Sequence, residues 1–238
     1  MSQSPRTLKR FYEDAGTVPG PAGTTVALDN RPIRTPAGRA LEVPTHALGQ
    51  AIAGEWARQG DQVDPEDLPL TKLANVALDR TPDRRVEIIQ DISRVCETDL
   101  VCHIAPEPAG LRQRQLEGWE PWRRWAAEEL GIALDPVNGL LGQGQPPESL
   151  VKAAEVASAL DDFMITGVAF GCGLYSSSVL SLAVAMARLD AVDAFQLSRI
   201  EEAWQIEQWG EDGEATRATA SRRRDAAALG TWFAALAG

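Results

Sequence analysis

The residues of this sequence that could act as metal ligands or nucleophiles are few and poorly spaced. Cys96, Cys102 and His103 are the nearest approach to a metal or nucleophile cluster, and the only other histidine is His46. Zinc sites draw on closely spaced pairs of cysteines and histidines, and this spacing matches none of the known patterns. We therefore predict no metal site and structural roles for these four residues.

Signatures of cofactor binding and catalysis are also missing from the sequence. Gly142–Gly144 and Gly171–Gly173 do not extend to a GxGxxG fingerprint, and no GxxxxGK[ST], GxSxG or HExxH motif occurs. The acid pairs Asp161–Asp162 and Glu201–Glu202 are adjacent. On a helix such pairs diverge by about 100° and cannot share a substrate. The residues alone predict a protein without a catalytic centre or a cofactor.

Composition narrows the class of partner. The chain of 238 residues has 44% hydrophobic and 24% charged residues and a formal net charge of −11. This balance is typical of a soluble protein, and the negative charge argues against nucleic acid and anionic membranes as partners. It also disfavours self-association, so we expect a monomer. Three cysteines and a polar, soon acidic start, MSQSPRTLKRFYEDAG, favour the reducing cytoplasm of a bacterium.

The elements that position any site begin with a short β-rich region. Thr24–Leu28 and Arg31–Thr35 read as strands joined by the turn pair Asp29–Asn30, and Ala40–Val43 runs extended up to a proline. The remainder follows helical spacing. We predict an α+β, mostly α fold: a small β-meander domain over residues 1–60, packed on an all-helical domain over residues 61–238.

Two tryptophan-bearing helices are predicted in this frame. Thr45 is a suitable N-cap for a helix on which Trp56 faces the meander. In a later helix Trp119, Trp122 and Trp125 recur at every third position. Such a stripe favours a place in the core over a platform for a ligand. Trp56 and Trp122 are accordingly predicted to be structural.

A long uncharged run from Phe163 to Ala187 has the length of a membrane span. The glycines at 171 and 173 interrupt it, and four serines dilute it. We interpret this run as two buried antiparallel helices rather than as a membrane insertion.

The stretch Asp193–Gly210, DAFQLSRIEEAWQIEQWG, predicts one helix that starts at Asp193 and is apolar on two faces. Its acids fall among apolar neighbours. A helix of this kind is usually buried, and buried carboxylates need partners. Two interpretations stay open: a core helix whose acids meet arginines such as Arg199 or those at 222–224, or a face offered to a partner with a carboxylate as its polar anchor.

This stretch also carries a resemblance. SRIEEAWQIEQWG is similar to the most distinctive signature of the assembly chaperones for the alpha subunit of F-type ATP synthase. Further blocks that resemble the family in order and spacing are RFYEDAG at Arg10–Gly16, VALDNRPIRTPAGRALEVPT at Val26–Thr45, AIAGEWARQGDQVDPEDLPLTKLANVALD at Ala51–Asp79, ETDLVCHIA at Glu97–Ala105 and the segment Trp119–Trp125. The resemblance therefore extends over nearly the whole chain.

The resemblance implies a role without catalysis. A member of this family binds the free alpha subunit transiently, shields its interface from aggregation and hands it to the beta subunit. It also implies that the signature helix is the contact surface, with the partner-binding residues Glu201, Glu202, Trp204, Gln205, Glu207 and Trp209. Two alternatives stay open, namely a stable structural subunit of a complex and an enzyme with a cryptic carboxylate site.

Overall fold

A computed structural model of the chain describes residues 8–138, 144–210 and 213–238. Contacts between residues divide these into two compact units. The first unit runs up to Arg84 and also takes in Thr231–Gly238, and the second is Arg85–Gly230. Each unit has buried apolar side chains of its own.

The first unit contains a four-stranded antiparallel sheet, a separate antiparallel pair of two-residue strands, and two helices. Its elements are β1 (Leu8–Lys9), β2 (Ala15–Pro19), β3 (Thr24–Leu28), β4 (Arg31–Pro32), β5 (Glu42–Val43), α1 (His46–Ala57), β6 (Gln62–Val63) and α2 (Pro69–Asp79). Strand β3 is central to the sheet, because it pairs with β2, β4 and β5, whereas β1 and β6 form the separate pair. Asp29 and Asn30 both adopt positive φ in the two-residue turn to β4, as hairpin turns of this length require. The predicted turn pair is confirmed.

Helix α1 packs on this sheet. Thr45 caps it, since the Thr45 side chain accepts a hydrogen bond from the Leu48 amide at 3.1 Å. Leu48 and Ile52 are fully buried on the face that α1 turns inward. Gly49 permits the close approach, because a Cβ at this position would lie 2.6 Å from the Thr24 methyl group. The cap predicted from sequence is therefore the one that begins the helix.

The second unit is built almost wholly of helices. Its elements are the later part of α3 (Thr81–Glu97), β7 (His103–Ile104), α4 (Ala109–Leu130), β8 (Val137–Asn138), α5 (Pro147–Ser158), α6 (Asp162–Tyr175), α7 (Ser178–Ala185), α8 (Ala191–Leu197), α9 (Ile200–Trp209) and most of α10 (Gly213–Ala237). Helices α6 and α7 occupy the uncharged run and are the most buried pair. Gly171 on α6 lies against Ser181 on α7, where a Cβ would meet the serine hydroxyl at 2.2 Å.

The predicted fold class is confirmed: a small N-terminal sheet region precedes a larger helical region. One detail was wrong, since the two-residue strands β6, β7 and β8 lie beyond residue 60, and the region is mostly rather than wholly helical. The division into domains over residues 1–60 and 61–238 stays a prediction. Among the residues described, no helix is both long enough and apolar enough to cross a membrane.

Candidate partner-binding site

The stretch predicted to be one helix from Asp193 to Gly210 is two helices. Asp190, not Asp193, caps α8, and a break at Ser198–Arg199 separates α8 from α9. In a continuous helix the Leu197 carbonyl would accept a hydrogen bond from the amide four residues later. Here the Trp119 indole N–H, from α4, donates to that carbonyl at 2.9 Å. The Ser198 hydroxyl donates to the Phe195 carbonyl at 2.8 Å, which also favours the end of α8.

Helix α9 lies on α4, and two glycines of α4 receive it. A Cβ on Gly110 would lie 2.6 Å from the ring of Trp204, and a Cβ on Gly118 would lie 2.6 Å from the terminal methyl of Ile200. Arg114 lies midway between the glycines. Its guanidinium is 4.7 Å from the centre of the Trp204 ring, a cation–π distance. Small residues on α4 and large ones on α9 therefore fix one side of α9.

An ion pair completes this attachment. Arg114 Nη1 lies 2.8 Å from Glu207 Oε1, and about half of each side chain is exposed. The hydrogen bond between them raises the pKa of Arg114 and lowers the pKa of Glu207. Because both groups are open to water, solvent screens the pair, and it orients α9 more than it stabilises the fold.

The opposite side of α9 is open. None of the ten residues of α9, all of which the structure describes, is buried. Trp209 is 79% exposed. At about 100° per residue, Glu202, Gln205 and Trp209 follow one another along a single surface. We call these three residues the outer face of α9. It combines a large apolar ring with a carboxylate and an amide.

Beside the outer face lies a pocket of about 300 Å³. Glu201, Glu202 and Gln205 line it from α9, with Arg199 just before the helix and Arg222 from α10. Arg199 Nη1 is 3.6 Å from Glu202 Oε1, and Arg222 Nη2 donates to the Leu174 carbonyl at 2.6 Å. Two acids and two arginines thus line this pocket, and such a polar surface suits pairing with charged groups of a protein partner.

The predicted binding residues therefore separate into two sets. Glu201, Glu202, Gln205 and Trp209 face the pocket or solvent, whereas Trp204 and Glu207 face α4. The expectation that Glu201 and Glu202 lie among apolar neighbours was wrong. Helix α9 is short and packs along one side only, so both acids are exposed. Although adjacent residues diverge on a helix, both acids line one pocket.

Sequence reasoning overlooked the residues that hold α9. Gly110 and Gly118 occur inside a helical pattern, where glycine costs stability and signals a packing reason. These glycines therefore indicate that another element packs closely on α4. Arg114, 93 positions away from Glu207 along the chain, carried no local signal at all.

The two tryptophans predicted to be structural are both half-buried. Trp56 lies against the cluster of Tyr12, Leu28, Val63 and Leu68, and its indole N–H donates to Thr71 Oγ1 at 3.1 Å. Trp122 forms an edge contact with Trp125, with ring centres 6.3 Å apart. Their structural role stays a prediction.

The three cysteines are all buried and unpaired by disulfides. Burial raises the pKa of Cys102 to about 12 and that of Cys172 to about 12, and it also raises the pKa of Cys96. The protonated thiol is therefore favoured at neutral pH, and a protonated thiol is a poor nucleophile and metal ligand. Among the described residues no group of three histidines, cysteines or acids is placed to hold a metal ion.

Comparison with known proteins gives consistent matches. The family model of the ATP12 chaperone protein matches residues 9–127. The crystal structure of Atp12 from Paracoccus denitrificans is 36% identical, with a TM-score of 0.88 over 95% of this chain and 97% of that chain. The Atu1473 protein of Agrobacterium tumefaciens, a candidate chaperone, is 32% identical, with a TM-score of 0.92 over 97% of this chain and 87% of that chain. The mitochondrial atp12 protein of Schizosaccharomyces pombe is 24% identical over 216 residues, which are 86% of this chain and 74% of that protein.

Proposed function

This chain belongs to the ATP12 chaperone family, and on that premise we propose that it binds the free alpha subunit of F-type ATP synthase through the outer face of α9 and the adjoining pocket. It shields the interface of the free subunit from aggregation and then yields it to the beta subunit. It acts in the cytoplasm as a monomer and catalyses no reaction.

One observation carries this proposal: α9 is fixed on one side and open on the other. Trp204 and Ile200 are seated against Gly110 and Gly118, so the helix is held in place before any partner arrives. Trp209 meanwhile leaves 79% of its surface in water. Tryptophan is one of the residues that contribute most binding energy at protein interfaces. A rigid helix with an exposed tryptophan and nearby acids is therefore suited to bind a protein.

The mixed chemistry of this surface fits a transient complex. Subunits of an obligate ring expose large apolar interfaces when they are alone, and such surfaces aggregate. A chaperone must cover that surface without competing permanently with the true partner. Glu201 and Glu202 provide specificity by pairing with basic residues of the partner, while the cost of removing water from them limits the net affinity.

The test is capture of purified alpha subunit by the immobilised chain. We expect Glu202→Lys and Trp209→Ser each to weaken capture about 30-fold or more, because one reverses a paired charge and the other removes the apolar anchor. Both side chains are exposed, so the melting temperature should stay unchanged.

Glu128→Lys is the matched control. Glu128 is an exposed acid near the far end of α4, about 20 Å along the helix from Arg114 at a rise of 1.5 Å per residue. The control should capture alpha normally. If Glu202→Lys and Trp209→Ser also capture alpha normally, α9 is not the binding surface.

Adding purified beta subunit to the captured complex tests the handover. We expect alpha to leave with beta. Retention of alpha in a complex that also contains beta would instead favour a stable structural subunit.

A further inference from the structure

A second surface, in the first unit, has the features of a binding groove. It has a volume of about 750 Å³. Apolar side chains from the N-terminal segment, β3, α1 and the residue just before α2 form its walls, among them Leu8, Phe11, Tyr12, Leu28, Trp56 and Leu68. None of these residues belongs to the α9 site.

The rim of the groove exposes large apolar side chains over a fixed floor. Phe11 is 69% exposed and Leu8 is 61% exposed. Tyr12 is buried beneath them, and its hydroxyl donates to the Trp56 carbonyl at 2.6 Å. The rings of Phe11 and Tyr12 meet edge to face, with centres 5.4 Å apart. The groove therefore offers apolar area to a ligand without first needing to rearrange its floor.

The charge of the groove is opposite to that of the chain. The formal net charge of the chain is −11, yet Arg31, Arg34 and Lys72 line the groove. Lys72 is already paired with Glu66 at 3.2 Å, so the two arginines carry the positive charge of the groove. Of its described lining residues Asp29 alone is acidic, and the Asp29 carboxylate already accepts hydrogen bonds from the backbone amides of Glu13 and Asp14. Those bonds lower the pKa of Asp29, so its carboxylate stays ionised and offsets one of the two arginines. The described lining residues therefore keep a small excess of positive charge, which complements a ligand that carries carboxylates.

A polar atom in the wall lacks a partner. Asn75 Oδ1 is buried and is one of three buried side-chain polar atoms without a hydrogen bond among the described residues. An unpaired buried acceptor costs free energy until a donor reaches it. A peptide backbone supplies N–H donors at regular intervals, whereas a fatty acid, which is also apolar and anionic, has no N–H group.

From these features we propose that the groove binds an extended apolar segment of a partner protein that carries carboxylate side chains. Apolar side chains of the segment contact Phe11 and Leu8, and a carboxylate pairs with Arg31. Asn75 Oδ1 is enclosed in the free chain, so the Asn75 side chain turns toward the groove to accept a hydrogen bond from a backbone N–H of the segment. This inference goes beyond the proposed function and does not rest on the α9 site.

The test uses the full chain and fluorescence polarisation of two labelled peptides. The first is a ten-residue peptide with leucine or valine at alternate positions, serine between them and two glutamates at its end. The second carries lysines in place of the glutamates. We expect the glutamate peptide to bind and the lysine peptide to bind at least about tenfold more weakly.

Two variants and a control localise the binding. Phe11→Ser should weaken the glutamate peptide about tenfold, and Arg31→Glu should reverse the preference in favour of the lysine peptide. Val86→Ser is the matched control, because Val86 is 68% exposed and lies outside the groove. Melting temperatures of all variants should match that of the unmodified chain. Equal binding of both peptides, or no loss with Phe11→Ser, overturns the proposal.

Two further measurements address other occupants. If sodium palmitate binds stoichiometrically while neither peptide binds, the groove takes a fatty acid and the proposal is wrong. If the chain self-associates in analytical ultracentrifugation and Phe11→Ser abolishes this, the occupant is a second copy and the proposal is equally wrong. Either result leaves the α9 site untouched, since capture of alpha is measured separately.

Discussion

Asp99 and Glu202 are both acids that lie near the start of a helix, yet their surroundings are opposite. Asp99 is completely buried, and its carboxylate accepts hydrogen bonds from the backbone amides of Val101, Ser178 and Val179, the last two at the start of α7. Glu202 is exposed in the first turn of α9. The Asp99 carboxylate is bonded entirely within the protein, whereas the Glu202 carboxylate is exposed to solvent and lies 3.6 Å from Arg199 Nη1.

A second buried acid belongs with Asp99. Glu55, on α1, accepts hydrogen bonds from the Leu70 amide at 2.6 Å and from the Thr71 amide at 2.9 Å, at the start of α2. Helix α2 has no side-chain cap from its own N-cap residue. Glu55 thus caps the start of α2 from another helix, as a serine or aspartate at the N-cap position would do locally. Asp99 and Glu55 are thus buried acids that accept hydrogen bonds from helix amides, whereas Glu202 is exposed to water.

The largest expected change in stability is that of Asp99→Ala, which tests whether the buried acid is structural. Three buried amides would lose their acceptor, so the free energy of unfolding should fall by roughly 3–5 kcal/mol. Urea unfolding measures it. Asp91→Ala is the control, because Asp91 pairs with Arg94 on the surface, and its loss should cost less than about 0.5 kcal/mol. An Asp99→Ala variant that unfolds like the unmodified chain would show that burial does not make this acid structural.

Next in size is the pH dependence of stability. Burial raises the pKa of Asp99 from 3.8 to about 6 and also raises the pKa of Glu55. The folded state then holds a proton that the unfolded state releases, so stability rises as pH falls from about 6 to about 4. For Asp99 the gain is about 3 kcal/mol.

Urea unfolding of the unmodified chain and of Asp99→Asn, from about pH 7 to about pH 4, isolates this contribution as their difference. At the α9 site the dependence of stability on pH has the opposite sign. The hydrogen bond from Arg114 lowers the pKa of Glu207, so its contribution is present at neutral pH and is lost as pH falls. A difference between the unmodified chain and Asp99→Asn that stays constant over this range would contradict the prediction.

A smaller effect is expected for Glu55→Gln. The amide group keeps one acceptor oxygen but turns an NH₂ toward the amides of α2, and the cost should be about 2 kcal/mol. Glu66→Gln serves as the control, because Glu66 pairs with Lys72 in solvent at 3.2 Å. Equal unfolding free energies for the two variants would show that Glu55 contributes no more to stability than an acid on the surface.

Gly110→Leu tests how α4 positions the exposed acids of α9. A leucine there must displace Trp204, so α9 should shift on α4, and capture of alpha should weaken about tenfold. The unfolding free energy should change by less than about 1 kcal/mol, because leucine also improves the helix propensity. Gln113→Leu, on the exposed side of the same helix, should capture alpha normally. Normal capture by Gly110→Leu would mean that the packing of Trp204 against Gly110 does not position the α9 site.

The smallest effect is expected for Glu207→Gln. The ion pair with Arg114 is half exposed, and Arg114 still stacks on Trp204 after the substitution. We predict no measurable change in the melting temperature, recorded by circular dichroism. A clear loss of stability would show that this ion pair, rather than the packing of Trp204 and Ile200, attaches α9.

Much of the fold was predictable because its signals are local. The turn at Asp29–Asn30 and the cap at Thr45 depend on residues within a few positions, and the structure shows both. The uncharged run from Phe163 to Ala187 indicated two buried helices, which are α6 and α7. The signature of the family also directed attention to α9. Turns, caps and apolar spacing depend on residues close together in the sequence, so they can be predicted without knowledge of the fold.

The burial of the acids was decided only by the tertiary structure. Asp99 meets its helix amides 79 and 80 positions further along the chain, and the break between α8 and α9 depends on an indole 78 positions before Leu197. Helical periodicity treats each segment as if it were continuous and symmetrically surrounded. It therefore left open whether Glu201 and Glu202 are buried or exposed, and it gave no signal for the role of Asp99. An acid's surroundings are set by elements that fold against it from far along the chain, and that information exists only once the chain has packed.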